Sequence, residues 1–269
     1  MTMTFRRVPY GRRQALLLLV SAWCALLVGA DGHGRPAAAQ TAPLGYSVLA
    51  FSRTAGFRHE SIPDAVQAVR VLGDQHGFRV DATEDPSVFT DVGLAPYNAV
   101  LFLLTTGDVL DDSQQAAFER FIRAGRGFVG VHSAADTEYD WPWYGGLLGT
   151  YFESHPDIQP ALVRVEDFRH PSTAPLPAEW SRVDEWYNFR TNPREQPEIQ
   201  VLASLDETTY SGGVMGDHPI AWSHAYDGGR AWYTGGGHTR ESYAEPLFLQ
   251  HLLGGIEYAA TGATEPQGT

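Results

Sequence analysis

The chain has 269 residues, a formal net charge of −13, no lysine and a single cysteine, Cys24. An acidic surface of this size disfavours nucleic acid and anionic membrane surfaces as partners. The missing lysine excludes Schiff-base chemistry and a phosphate-loop lysine, while the length supplies core enough for one large α/β domain.

The first 39 residues read as an export signal rather than as part of that domain. Arg6, Arg7, Arg12 and Arg13 precede an apolar run over 15–30, and three alanines at 37–39 offer a small-residue cleavage site before Gln40. The apolar run is short for a membrane span and is followed by Asp31, Gly32 and Gly34, so cleavage is expected and no stable membrane insertion. Gly11-Arg12-Arg13-Gln14 also permits the twin-arginine route beside the general secretory one. The chain is therefore expected in the periplasm or outside the cell. Removing five arginines with Asp31 would leave a charge near −17, and removing Cys24 would leave no disulfide, thiolate nucleophile or cysteine ligand.

Residues 40–45 form a linker, and the apolar, β-branched run 46–51 predicts a first strand. Ser61 opens a helix with Pro63 in its first turn, and Ile62, Val66, Val69 and Leu72 recur at helical spacing. Gly73 and Gly77 loosen its end before a second strand starts at 78–80. The continuous apolar run 99–104 predicts a strand buried on both faces. Asp111 or Asp112 caps the next helix, which buries Phe118, Phe121 and Ile122, and 127–131 is another buried strand. Strands alternating with helices in this way predict βαβ units and a parallel sheet. Beyond Trp141 five prolines between 156 and 177 break the pattern; shorter strands are expected at 161–165, 199–204, 219–225 and 230–234. Leu249, Leu252, Leu253 and Ile256 mark a last amphipathic helix, and 261–269 reads as a flexible tail, so one domain spans 46–260.

Open parallel sheets bind ligands at the carboxyl ends of their strands. Three predicted strand ends each deliver a histidine within a few residues: His59 in 52–61, His132 in His132-Ser133-Ala134-Ala135-Asp136, and His238 after Gly235-Gly236-Gly237. A lone histidine is more often a satisfied core or surface group, but three at one sheet edge point to a site. The middle region adds His155 and His170, each before a proline, the adjacent acids Asp184 and Glu185, and His218 before Pro219. Neighbouring residues of an extended strand face opposite ways, so only one of Asp184 and Glu185 can enter a pocket. Trp186, Tyr187 and Trp222, with Trp141, Trp143 and Tyr144, are either stacking platforms for a sugar ring or core.

Gly125-Arg126-Gly127-Phe128-Val129-Gly130 has the spacing of a dinucleotide fingerprint, but it follows a helix and enters a strand, the reverse of what that motif requires. Gly125 is better read as a helix-terminating glycine. No G-x-S-x-G or H-E-x-x-H occurs, so neither a serine-hydrolase elbow nor a zincin helix is supported.

Taken in order, 48–52 with 57–61, 127–133, 148–149, 152–156, 170–171, 184–187, 218–222, 229–233 and 237–238 resemble the ThuA-like (trehalose-utilisation) family across almost the whole of 46–260. The resemblance implies a flavodoxin-like three-layer α/β fold with a mainly parallel central sheet, helices on both faces and β-rich insertions, related to the class I glutamine amidotransferases. Those enzymes carry a cysteine on the turn after a central strand, and the matching turn here carries His132. Imidazole cannot replace the thiolate in forming an acyl-enzyme, so glutamine hydrolysis is not expected. The family name implies disaccharide metabolism, hence a small carbohydrate as ligand.

The expected chemistry is acid–base work on a keto-sugar or disaccharide derivative. His132 would serve as general acid or base, Asp184 or Glu185 as its partner, and His59 and His238 as groups that bind or polarise oxygen. Arg58, His155, Trp186, Tyr187, His218 and Trp222 would contact the ligand. No cofactor is required by this reading. The alternatives are a divalent-metal-dependent hydrolase or lyase, with His59, His132, His155 and His238 joined by Glu60 or Asp184 as ligands, and a sugar-binding module without catalysis. The oligomeric state is not encoded in any pattern of the chain.

Overall fold

The computed structural model describes residues 45–264. The predicted export signal, most of the linker and the end of the predicted tail lie outside them.

Residues 47–131 form the expected βαβ succession. Strand β1 (Ser47–Phe51) leads to helix α1 (Ile62–His76) and β2 (Arg79–Thr83). The short α2 (Asp91–Leu94) precedes β3 (Ala99–Leu103); α3 (Asp112–Arg123) then leads to β4 (Gly127–Val131). The ends are chemically specified. Asp111 accepts the amides of Ser113 and Gln114 in a full capping box, and Gly77 closes α1 in a left-handed conformation. Gly125, also left-handed, follows α3 as expected.

Next come α4 (Pro142–Leu148), β5 (Phe152–Ser154), β6 (Gln159–Val165), β7 (Glu179–Asp184), β8 (Asn188–Phe189), β9 (Gln200–Asp206), β10 (Pro219–Tyr226), β11 (Gly229–Thr234) and α5 (Pro246–Thr261). The four shorter strands expected here are present. Helix α4 and strands β5, β7 and β8 are additions, and α5 runs to the first residue of the predicted tail. Asp227 and Gly228, both at positive φ, make the tight turn between β10 and β11.

Nine strands form one sheet in the order β2-β1-β3-β4-β11-β10-β9-β6-β7. The first five are parallel, in the 2-1-3-4-5 order of flavodoxin-like folds, and β10, β9, β6 and β7 extend it antiparallel. Strand order reverses at β1/β3, so a crevice opens beside the carboxyl ends of these strands. Helices α1 and α5 pack together on one face, where Gly127 lets the backbone of Ala259 come close enough to exclude a Cβ. On the other face an aromatic stack of Phe102, Phe118, Phe128, Trp141 and Tyr144 joins α3 and α4 to β3 and β4. No helix among the described residues is long and apolar enough to cross a membrane.

Candidate functional site

Four strand ends build the site. β1 delivers its residue indirectly: its following loop is hydrogen-bonded across the end of β3, where Ala55 N donates to Thr106 O at 2.7 Å and Thr106 Oγ1 donates to Phe57 O at 2.7 Å. This crossing carries His59 past β3 toward β4. His132 follows β4 directly with φ of +51°, the turn that carries a nucleophile in elbow-type enzymes. A left-handed residue with a side chain costs about 1–2 kcal/mol, and here tertiary bonds fix it. Tyr233 Oη donates to His132 O at 2.8 Å, and His132 Nδ1 lies 2.8 Å from Gly235 O. A carbonyl can only accept, so Nδ1 bears the hydrogen and Nε2 faces the site.

β11 is followed by Gly235-Gly236-Gly237-His238. A Cβ on Gly236 would strike the Arg182 guanidinium, and Gly237 sits at φ +112°, so the turn needs these glycines. Its amides are captured by Asp184, which accepts Gly237 N at 2.7 Å and His238 N at 3.0 Å. Three strands separate β7 from β11 in the sheet, yet the antiparallel arm curls back far enough to make these bonds.

The result is a compact cluster. His238 Nδ1 lies 3.0 Å from Glu185 Oε2 and 3.2 Å from His132 Nε2, and His132 Nε2 lies 3.4 Å from Glu185 Oε2. The rings of His59, His132 and His238 meet edge to face with centroids 4.9–5.2 Å apart. One donor atom from each of His59, His132, Glu185 and His238 falls within 4.8 Å of the others, a spacing that one cation could bridge. His155 Nδ1 reaches the other oxygen of Glu185 at 3.1 Å, from the lip of the site. Burial lowers the His59 imidazole to about 3, with repulsion from His132 and His238 adding to it. Burial alone would raise the Glu185 carboxyl, but hydrogen bonds and positive charge from His132 and His238 hold it well below the usual carboxylate range.

Above the cluster is a cavity of about 340 Å³ lined by His59, His155, Glu185 and His238 and walled by Phe57, Phe152, Tyr187 and Asp136. A larger groove of about 830 Å³ lies elsewhere, among Asp108, Asp111, Asp112 and Asp140. Its one buried acid, Glu138, is occupied by the amides of Val109 and Leu110 and by Gln115, whereas the titratable groups of the smaller cavity face one another.

The structure sorts the residues singled out from sequence. His59, Glu185, His238, His155 and Tyr187 converge on the cavity. His132 is fully buried beneath it, with the Tyr187 ring tilted against its own at a centroid distance of 4.1 Å. Asp184 is also fully buried and points away, into the backbone of the β11 turn; it is Glu185 that enters the cavity. His218 stands behind Tyr187, with Nε2 2.8 Å from the Tyr187 carbonyl and Nδ1 held by Glu207. Trp186 and Trp222 are core, their indole N–H groups bonded to the carbonyls of Gln159 and Leu148. Arg58 is exposed and paired with Glu84, and Glu60 is exposed outside the cluster. Phe57, Phe152 and Asp136 were not singled out. Their signal was position alone, since Phe57 and Asp136 lie in the same strand-end segments as His59 and His132.

A family model described as "Trehalose utilisation", ThuA, matches residues 47–259. A ThuA-like protein of Bacteroides uniformis is 27% identical, with TM-score 0.70, over 86% of this chain and 98% of its own. A ThuA-like protein of Parabacteroides merdae is 20% identical, with TM-score 0.69, over 85% and 93%. A β-galactosidase of Bacillus circulans shares the fold over 84% of this chain and 32% of its own, at 13% identity and TM-score 0.52. No curated protein sequence matches the chain. With the family model covering nearly every described strand and helix, and the fold expected of it in place, the chain belongs to the ThuA, or trehalose-utilisation, family.

Proposed function

We propose that this protein is an exported enzyme that transfers protons on a neutral, carbonyl-bearing sugar derivative held in the His59–Glu185–His238 cavity. The observation that carries the reading is the convergence of four strand-end groups, His59, His132, Glu185 and His238, under one aromatic-walled cavity. Membership of a family tied to trehalose utilisation supports a carbohydrate as ligand. The walls fit one: Phe57, Phe152 and Tyr187 offer apolar ring faces, and Asp136 and His155 offer hydrogen bonds. Neither arginine nor lysine lines the cavity, so a sugar phosphate would find no guanidinium or ammonium clamp there.

Within this reading His132, lying under the floor, anchors the cluster rather than touching substrate. His59 and His238 bind and polarise a substrate oxygen. Proton exchange falls to Glu185 and His155, whose Nδ1 lies 3.1 Å from Glu185 Oε1, His155 being 41% exposed at the mouth. A histidine and a carboxylate in contact are suited to removing a proton beside a carbonyl and returning it elsewhere.

The test is NMR-monitored turnover of neutral 3-keto-disaccharides, their unoxidised parents and a sugar phosphate. The keto-sugars should turn over and the phosphate should not. His155→Asn should lower kcat at least tenfold with the fold unchanged, and His132→Ala should abolish turnover. Saturable sugar binding without turnover of any substrate would make the protein a binding module and end the enzymatic reading.

A further inference from the structure

We infer that His59, His132, Glu185 and His238 are the ligands of one divalent transition-metal ion, bound at the floor of the cavity. The inference deepens the proposed function and rests on reading this cavity as the reactive site.

The geometry is that of a coordination shell. Around zinc, with bonds of about 2.0–2.1 Å, tetrahedral ligand atoms stand about 3.3 Å apart. Among His132 Nε2, His238 Nδ1 and Glu185 Oε2 the three separations are 3.0, 3.2 and 3.4 Å, and a ring nitrogen of His59 completes the group within 4.8 Å.

Proton bookkeeping points the same way. His132 Nδ1–H is committed to Gly235 O, so Nε2 is the ring atom turned toward the Glu185 carboxylate. His238 can donate one hydrogen to Glu185 or to His132, not to both. Buried lone pairs around a carboxylate require positive charge between them, and a single cation meets all four groups at once.

The surroundings behave as outer supports of a metal site. Gly235 O fixes the tautomer of His132, Ser133 Oγ lies 3.4 Å from His59 Nδ1, His155 binds the outer oxygen of Glu185, and Asp184 holds the backbone of His238. Three imidazoles with one carboxylate suit zinc, iron, cobalt or nickel; magnesium and calcium prefer oxygen shells. The cavity above leaves room for a substrate oxygen on the cation, which would polarise a sugar carbonyl while His155 carries the proton.

The full chain is stripped with chelator and titrated with Zn²⁺ by calorimetry and with Co²⁺ by visible absorption. One ion per chain is expected, with the intense visible bands of four- or five-coordinate Co²⁺ and no heat from Mg²⁺. Glu185→Gln should weaken Zn²⁺ at least tenfold, and the double variant His59→Gln, His238→Gln should abolish stoichiometric binding. His76→Gln, far from the cluster, should bind as wild type, and circular dichroism would establish that each variant is folded. Absence of stoichiometric binding to folded wild type overturns the inference, as does binding that the cluster variants leave unchanged. Keto-sugar turnover that persists in the stripped protein sinks the metal and keeps the proposed function. A bound ion with no turnover does the reverse.

Discussion

Asp184 and Glu185 are adjacent acids with opposite work, and substituting each separates structure from chemistry. Asp184 is fully buried. Its Oδ2 accepts Gly237 N at 2.7 Å and Ser242 Oγ at 3.1 Å and faces Arg182 Nη1 at 3.1 Å, while Oδ1 accepts His238 N and Glu185 N, both at 3.0 Å. In Asp184→Asn the amide nitrogen must replace one oxygen and point its hydrogens at donors. Turned toward Oδ1, it orphans two backbone N–H groups, at about 1–3 kcal/mol each. Arg182 meanwhile loses a buried counter-charge and keeps only the half-exposed Glu245. Breaking such a buried pair costs about 3–5 kcal/mol, a large part of the roughly 5–15 kcal/mol that stabilises a typical domain. Urea unfolding followed by circular dichroism should show a loss of at least about 3 kcal/mol for Asp184→Asn. Glu185→Gln should cost less than Asp184→Asn, because Glu185 faces the cavity and bonds only histidine rings, with no backbone amide left orphaned. A wild-type midpoint for Asp184→Asn, or a larger loss for Glu185→Gln, would refute the division of labour.

Burial lowers His170 to about 4 and His251 to about 3, against 6.5 unfolded. The folded state therefore binds fewer protons, and stability complete above pH 6.5 is lost as pH falls toward 4, by about 2 kcal/mol per histidine at pH 5. An unchanged urea midpoint between pH 7 and pH 5 would contradict this. Gly237→Ala places a methyl 2.7 Å from Tyr243 Oη at φ +112°, and should cost about 2–4 kcal/mol in unfolding experiments while displacing His238. Phe57, 64% exposed at the cavity rim, should be replaceable by alanine without altering the melting temperature. The same variant should weaken sugar binding severalfold, as titration calorimetry would read. Incubation with glutamine should release no ammonia, since His132 stands at the elbow where thiolate chemistry would need cysteine; ammonia above background would overturn that argument.

The sequence by itself determined the parallel half of the sheet. Strands buried on both faces must be apolar throughout, and 48–51, 99–103 and 127–131 are, with capping residues and glycines between them. It also brought His59, His132 and His238 to strand ends on one edge, because in a parallel sheet all strand ends share that edge. Tertiary structure alone decided β7. Its buried face is Trp180, Arg182 and Asp184, its exposed face Glu179, Ser181 and Val183, so hydropathy runs against burial wherever charged groups satisfy one another inside. Alternation could say that Asp184 and Glu185 part company, not which turns inward. That choice depended on the amides of Gly237 and His238, more than fifty residues away, offering Asp184 its partners. The same curl of the antiparallel arm set Glu185 against three histidines and buried Trp186 and Trp222, whose aromatic surface had read equally well as a sugar platform. Residue type fixes what a group can do; only the path of the chain through space fixes what it meets.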